Sequence, residues 1–208
     1  MNSKSLIVNI ITFSRVPFIL AWLVLALLHE LRGWCWASFV ALALMALSAL
    51  TDAFDGALAR RWKVVSALGK MSDPLMDKVF YVITFPALTW IIQHQGYETH
   101  SIIMLIFTIS YILRDLWVTF LRSVGSLYGA DCAAMMLGKV RTALSFPVAG
   151  FIYLEIMSHD FSLGDSLARG VLCLCYAAEA VMIAINFISF VSYTRAYMPF
   201  LKKALERK

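Results

Sequence analysis

What most limits the folds open to this chain is its repeated apolar runs. A membrane-spanning helix needs about 20 mostly apolar residues. Segments approaching or exceeding that length recur along the chain, roughly at Pro17–Leu28, Trp36–Ala53, Leu75–Ile92, Ile102–Leu121, Arg141–Met157 and Leu167–Val191. Short polar links separate them at His29–Gly33, Gln93–His100 and Ser158–Asp165. Soluble domains are roughly 45–50% apolar, whereas 61% of these 208 residues are hydrophobic. A soluble domain is thereby excluded. The expectation is an all-α membrane protein of six transmembrane helices, forming a single domain over residues 1–208.

The chain ahead of the first run carries Asn9, Thr12 and Arg15 at three-residue steps. That polar face predicts a separate interfacial helix over residues 5–15, lying on the membrane before the chain turns in at Pro17. Lys4 followed by an apolar run imitates a signal peptide. No small-residue cleavage site stands near His29–Gly33, so the first run reads as a retained span.

Orientation follows from the cations. With the N-terminus inside, sixteen of the eighteen Lys and Arg residues fall on the inner side, leaving Arg32 and Arg169 outside. This bias predicts cytoplasmic termini. The formal net charge of +5 is therefore a topology signal, and no nucleic-acid-binding module is recognisable. All four histidines (His29, His94, His100 and His159) fall in or beside the outer links. Cys35, Cys132, Cys173 and Cys175 lack the pattern of a disulfide framework.

Against this background four carboxylates stand out: Asp52 with Asp55, and Asp73 with Asp77. Separations of three and four residues put each pair on one helical face. Ionisable groups in such apolar sequence are costly and usually functional. The topology sets the pairs at the inner ends of the second and third spans, predicted to be antiparallel neighbours whose acidic faces can converge on one pocket open to the cytoplasm. Clustered carboxylate oxygens suit hard divalent ions such as magnesium or manganese, and a two-metal site could clamp a phosphoryl substrate. Gly56 and Ala59 continue the face of Asp52 and Asp55, either admitting a ligand or permitting close helix packing. Arg60 could hold a phosphate or anchor the helix end.

Asp52-x2-Asp55-Gly56-x2-Ala59-Arg60-x8-Gly69-x3-Asp73-x3-Asp77 resembles the signature of the CDP-alcohol phosphotransferase family at every defined position. The resemblance implies a six-helix membrane enzyme, usually a homodimer, that moves a phosphatidyl-type group from a CDP-linked lipid to an alcohol and releases CMP. By the same resemblance Asp52, Asp55, Asp73 and Asp77 are the ligands of two divalent ions, with Asp77 also the general base. Gly56, Ala59, Arg60, Ser66 and Gly69 would border the CDP group.

The acceptor is sought in the second half. Arg114, Arg122, Lys139 and Arg141 would suit an alcohol that itself carries a phosphate; alternatively they are topology charges or partners of Asp115 and Asp131. Asn9, Thr12, Arg15, the run Ser72–Lys78, Arg114-Asp115 and the run Gly138–Thr142 resemble the branch of the family that joins CDP-diacylglycerol to glycerol 3-phosphate. That branch adds Asn9 and Arg15 to the CDP-lipid contacts. Inositol phosphate or serine as acceptor stays open. A divalent-cation transporter is the competing class, but the outer halves of the second and third spans hold no acid, and Glu155 and Glu179 are too few to complete a path. The absence of a targeting extension suits a bacterial plasma membrane. For Glu179 and Asn186 the expected role is an interhelical hydrogen bond.

Overall fold

The computed structural model describes residues 3–64, 67–130, 136–160 and 165–206, with the backbone alone at Ser3, Ala53, Arg60, 67–71, Asp73, Asp160, Asp165 and Ala168. All the regular structure among them is helical: α1 (Ser3–Arg32), α2 (Cys35–Trp62), α3 (Ala67–His94), α4 (Glu98–Leu127), α5 (Met136–Asp160) and α6 (Asp165–Glu206). Each of the six contains a stretch long and apolar enough to cross a membrane. Large apolar side chains such as Leu20, Phe39, Leu113, Phe151 and Phe187 point outward, as a bundle solvated by lipid requires. At 1.5 Å per residue, the 42 residues of α6 extend over ~63 Å, about twice a hydrocarbon core of ~30 Å.

The separate interfacial helix is not found. Residues 5–15 and the first span form one helix, α1, with Pro17 inside it. Its buried positions run Val8, Thr12, Arg15, Ile19, Trp22, Ala26 and His29, an unbroken alternation of three- and four-residue steps that carries one packed face past the proline. Proline costs a helix one backbone hydrogen bond, and in membrane helices neighbouring groups commonly make up that loss. All five prolines of the chain (Pro17, Pro74, Pro86, Pro147 and Pro199) lie inside helices.

Left-handed residues close the ends of α2, α3 and α4. Gly96 and Gly129, with φ of 86° and 74°, let the next residue donate back five positions: Tyr97 N–H to the Ile92 carbonyl at 3.2 Å, and Ala130 N–H to that of Gly125 at 2.9 Å. The same closure ends α2, where Val64 N–H reaches the Ala59 carbonyl at 3.2 Å. There the left-handed residue is Lys63, at φ 53°, and its Cβ makes that conformation costly.

The main core joins α3, α4 and α5 through stacked or edge-on rings of Phe80, Tyr81, Phe85, Phe107, Tyr111 and Phe146. A smaller cluster of Val118, Leu121, Tyr193 and Tyr197 fastens α4 to α6. Gly125 is required here, because a Cβ at this position would stand 2.5 Å from Cε1 of Tyr197.

Packing around α1 departs from the expectation that α2 and α3 are antiparallel neighbours. Among the described residues α1 packs against both α2 and α3, while α2 and α3 make no direct backbone approach. The physical reason lies in the polar side chains of α1. Arg15 and Thr12 are buried, and the acids they bond stand on α2 and α3, so α1 fits between those helices.

The bundle thus has two chemically different ends. Asp52, Asp55, Asp77 and Asp115 gather with arginines at one, and histidines with Glu30, Glu155 and Glu179 at the other. At the histidine end buried His100 donates or accepts at 3.0 Å with Glu179 and lies 3.7 Å from Glu155, which also contacts His159 at 2.6 Å. Glu179 therefore makes the interhelical bond expected of it. Asn186 does not: neither atom of its buried amide finds a partner among the described residues, and nothing in the structure explains it.

Candidate active site

The acidic end is built around Arg15. Its side chain is fully buried, and its guanidinium donates to carboxylates from two helices. Nη2 donates to Asp52 Oδ1 at 2.6 Å and Asp55 Oδ2 at 3.2 Å on α2, while Nη1 donates to Asp77 Oδ1 at 3.0 Å on α3. Thr12, one turn earlier on α1, donates to Asp55 Oδ2 at 2.8 Å. Three-residue spacing places Asp52 and Asp55 on the face of α2 turned to α1. Asp52, Asp55 and Asp77 thus converge as expected, but through an arginine of a third helix.

Among the described side chains the acids of this cluster crowd one another. Three carboxylates share one guanidinium, and like charges about 5 Å apart repel by about 3 kcal/mol at an effective dielectric near ~20. Water relieves part of this, since the side chains of Asp52 and Asp77 are 41% and 26% exposed while that of Asp55 is 6% exposed. An all-oxygen set open to water on two members fits a hard divalent cation. Among the described residues, however, no three acids stand close enough to hold an ion by themselves, because the guanidinium is interposed. The Asp73 side chain, the Arg60 side chain and Ser66 lie outside the described residues. Gly69 is placed only as part of the first turns of α3. Gly56 and Ala59 are half-buried on α2, and Asn9 is half-buried on α1.

Beside this cluster lies a second one, centred on Asp115 of α4. Arg141 of α5 donates from Nη2 to Asp115 Oδ1 at 2.8 Å and from Nη1 to the Tyr111 carbonyl at 3.3 Å, and its guanidinium sits 3.9 Å from the centroid of the Tyr111 ring. Lys78, next to Asp77, reaches Asp115 Oδ2 at 3.1 Å and Thr119 Oγ1 at 2.8 Å. Arg114 donates to Ser189 of α6 and lies over the Tyr193 ring at 5.0 Å. Of the four cations considered for the acceptor, Arg114 and Arg141 are therefore brought together with Asp115. Arg122 is half-buried near the end of α4 and Lys139 is exposed at the start of α5. The sequence reading did not find Lys78 as a site residue or Thr12 as a partner of Asp55. Spacing held a clue to the latter, because Thr12 and Arg15 are three apart on one face.

Comparison with known proteins agrees with this chemistry. Residues 5–191 match the CDP-alcohol phosphatidyltransferase family. The chain belongs to that family. A CDP-diacylglycerol–glycerol-3-phosphate 3-phosphatidyltransferase of Cereibacter sphaeroides is 28% identical over 194 residues, covering 80% of this chain and 85% of that protein. The Escherichia coli protein of the same name is 32% identical over 109 residues, covering 51% of this chain and 56% of its own length. A CMP-forming cardiolipin synthase of Streptomyces coelicolor is 37% identical over 87 residues, covering 39% and 38%. As a CDP-alcohol phosphatidyltransferase this chain is an enzyme, a membrane-embedded transferase of phospholipid synthesis, and members of its family generally use divalent metals.

Proposed function

We propose that the enzyme transfers the phosphatidyl group of CDP-diacylglycerol to glycerol 3-phosphate, forming phosphatidylglycerophosphate and CMP, at the cytoplasmic face of a bacterial plasma membrane. The observation that carries this reading is the meeting of Asp52, Asp55 and Asp77, from two helices, at one buried guanidinium. The names of the relatives from Cereibacter sphaeroides and Escherichia coli support the choice of both substrates.

In this reading Asp52, Asp55, Asp73 and Asp77 hold two divalent ions, magnesium or manganese. Bound there, the ions would neutralise the diphosphate and ease departure of CMP. The remaining roles belong to the chain's own residues. Gly56 and Ala59 leave the α2 surface low beside the acids, so that the nucleotide can approach the backbone. Arg60, Ser66, Gly69, Asn9 and Arg15 complete the contacts to the CDP group. Asp77, partly open to water, accepts the proton of the glycerol hydroxyl. That oxygen attacks the phosphorus bearing the diacylglycerol, and the bond to CMP breaks with its electron pair leaving on CMP. The cationic set Arg114, Arg122, Lys139 and Arg141 receives the phosphate of the acceptor. A homodimer is the assembly proposed with it.

The test is an acceptor panel on detergent-purified enzyme with CDP-diacylglycerol and Mg2+ or Mn2+: glycerol 3-phosphate, inositol phosphate, serine and phosphatidylglycerol. Phosphatidylglycerophosphate as the dominant product is expected. Preference for phosphatidylglycerol would favour the chemistry named for the Streptomyces coelicolor relative, and preference for inositol phosphate or serine would also overturn the assignment.

A further inference from the structure

We propose that Arg15 is an internal counter-cation in competition with the divalent metal for the oxygens of Asp52, Asp55 and Asp77, so that metal binding requires the guanidinium to leave them. This rests on the metal reading above and adds to it a coupled movement within the site.

The carboxylate oxygens themselves give the first reason. Asp52 Oδ1, Asp55 Oδ2 and Asp77 Oδ1 each accept a hydrogen bond from Arg15, at 2.6, 3.2 and 3.0 Å. A hard cation drawing on the same oxygens would face a full positive charge at contact distance, in a place where burial weakens screening. Access gives the second. An ion arriving from water can meet Asp52 and Asp77, whereas Asp55 is enclosed, its Oδ2 held between Thr12 and Arg15. Ligation through Asp55 Oδ2 must therefore displace the guanidinium. The third reason is the way Arg15 is anchored. Both amino groups are engaged but Nε has no partner among the described residues, so every hydrogen bond the guanidinium makes among them goes to an acid that the ion would take.

The exchange has a consequence for substrate. A guanidinium freed from three carboxylates stays tethered to α1 beside the ions, and a forked donor of that kind pairs well with phosphate. The ion would thus release the arginine that the diphosphate then takes. By linkage, whatever the ion does for phosphate affinity, the phosphate does equally for ion affinity.

The experiment measures Mn2+ binding, by the electron paramagnetic resonance of free Mn2+, to the detergent-solubilised full-length enzyme and to its Arg15→Gln variant. Removing the competing charge should tighten Mn2+ binding about tenfold, within the usual range for coupled sites. Equal or weaker binding by a monodisperse Arg15→Gln protein overturns the proposal. A second measurement needs only the wild type, labelled with nitrogen-15 arginine. The Arg15 side-chain resonance should move during Mg2+ titration with the midpoint of Mg2+ binding, and a resonance that stays put at saturating Mg2+ overturns the proposal as well. If the wild type binds neither ion, the metal reading itself falls and the exchange with it. If it binds Mn2+ and Arg15→Gln binds no tighter, only the exchange is refuted.

Discussion

Replacing Asp115 by Asn tests whether the cluster on α4 is held by charge or merely by shape. Arg141 is 2% exposed and its principal anionic partner is Asp115 Oδ1 at 2.8 Å. Breaking a buried ion pair by removing one partner costs about 3–5 kcal/mol, because the other charge is left uncompensated. Arg141 would keep the Tyr111 carbonyl and the Tyr111 ring, and a desolvated cation on an aromatic face retains about 1–2 kcal/mol. The lower end of the range, about 3 kcal/mol, is therefore expected for Asp115→Asn. The same logic predicts rescue. In Asp115→Asn with Arg141→Met the uncompensated Arg141 guanidinium is gone and Arg114, 3.8 Å from Asp115, keeps Ser189 and the Tyr193 ring, so most of the loss should return even though more native contacts have been deleted. Reversible unfolding of purified protein in mixed micelles, followed by far-ultraviolet circular dichroism, gives both values. A double variant no more stable than the single one would refute the account, since it would show that packing of the Asp115 and Arg141 side chains matters more than their charges.

Asp77→Asn should abolish phosphatidyl transfer while CDP-diacylglycerol still binds, as followed by CMP release and by calorimetry; full turnover would remove Asp77 from the role of base. Chelation with EDTA should stop the reaction and added Mg2+ or Mn2+ restore it, and undiminished CMP release in excess chelator would contradict metal assistance. Gly125→Ala should destabilise the protein by about 1–3 kcal/mol, because the new methyl group would meet the Tyr197 ring at 2.5 Å; an unchanged unfolding midpoint would mean that α4 and α6 separate at little cost. Lys63→Gly should stabilise the end of α2 by up to ~1 kcal/mol, because a residue at φ 53° loses its Cβ penalty, and a fall in stability would argue that the Lys63 side chain matters more than its backbone.

The sequence made the all-helical membrane bundle legible because apolar length and helical period act locally. The acid pairs were legible for a related reason: carboxylates are so costly in apolar surroundings that their positions carry information wherever the chain folds. Less legible was anything depending on which helices touch. The short connection after α2 suggested direct neighbours, yet α1 stands between α2 and α3. The face bearing Asn9, Thr12 and Arg15 was visible, but a polar face on a helix end suits a membrane surface as well as a buried acid cluster. Pro17 tipped the sequence reading towards a turn, although membrane helices tolerate internal proline. Arg141 shows the same ambiguity resolved in part: a pairing with Asp115 was one of the alternatives, and the two do meet at 2.8 Å.

That α1 carries the guanidinium has a consequence for how fold and site depend on each other. Two helices bearing acids at the same end repel when brought together, and lipid offers little to offset that repulsion. An arginine on a third helix turns it into attraction, since Arg15 binds Asp52 and Asp55 on one side and Asp77 on the other. The three helices then meet through one side chain, although among the described residues α2 and α3 make no direct backbone approach to each other. Formation of the site is in this sense an assembly step of the bundle. In the metal-free protein substitutions at Arg15 should therefore loosen the acidic end until a divalent ion takes the place of the guanidinium, and leave the aromatic core of Phe80, Phe85, Phe107 and Tyr111 protected, a difference that amide hydrogen exchange can resolve helix by helix.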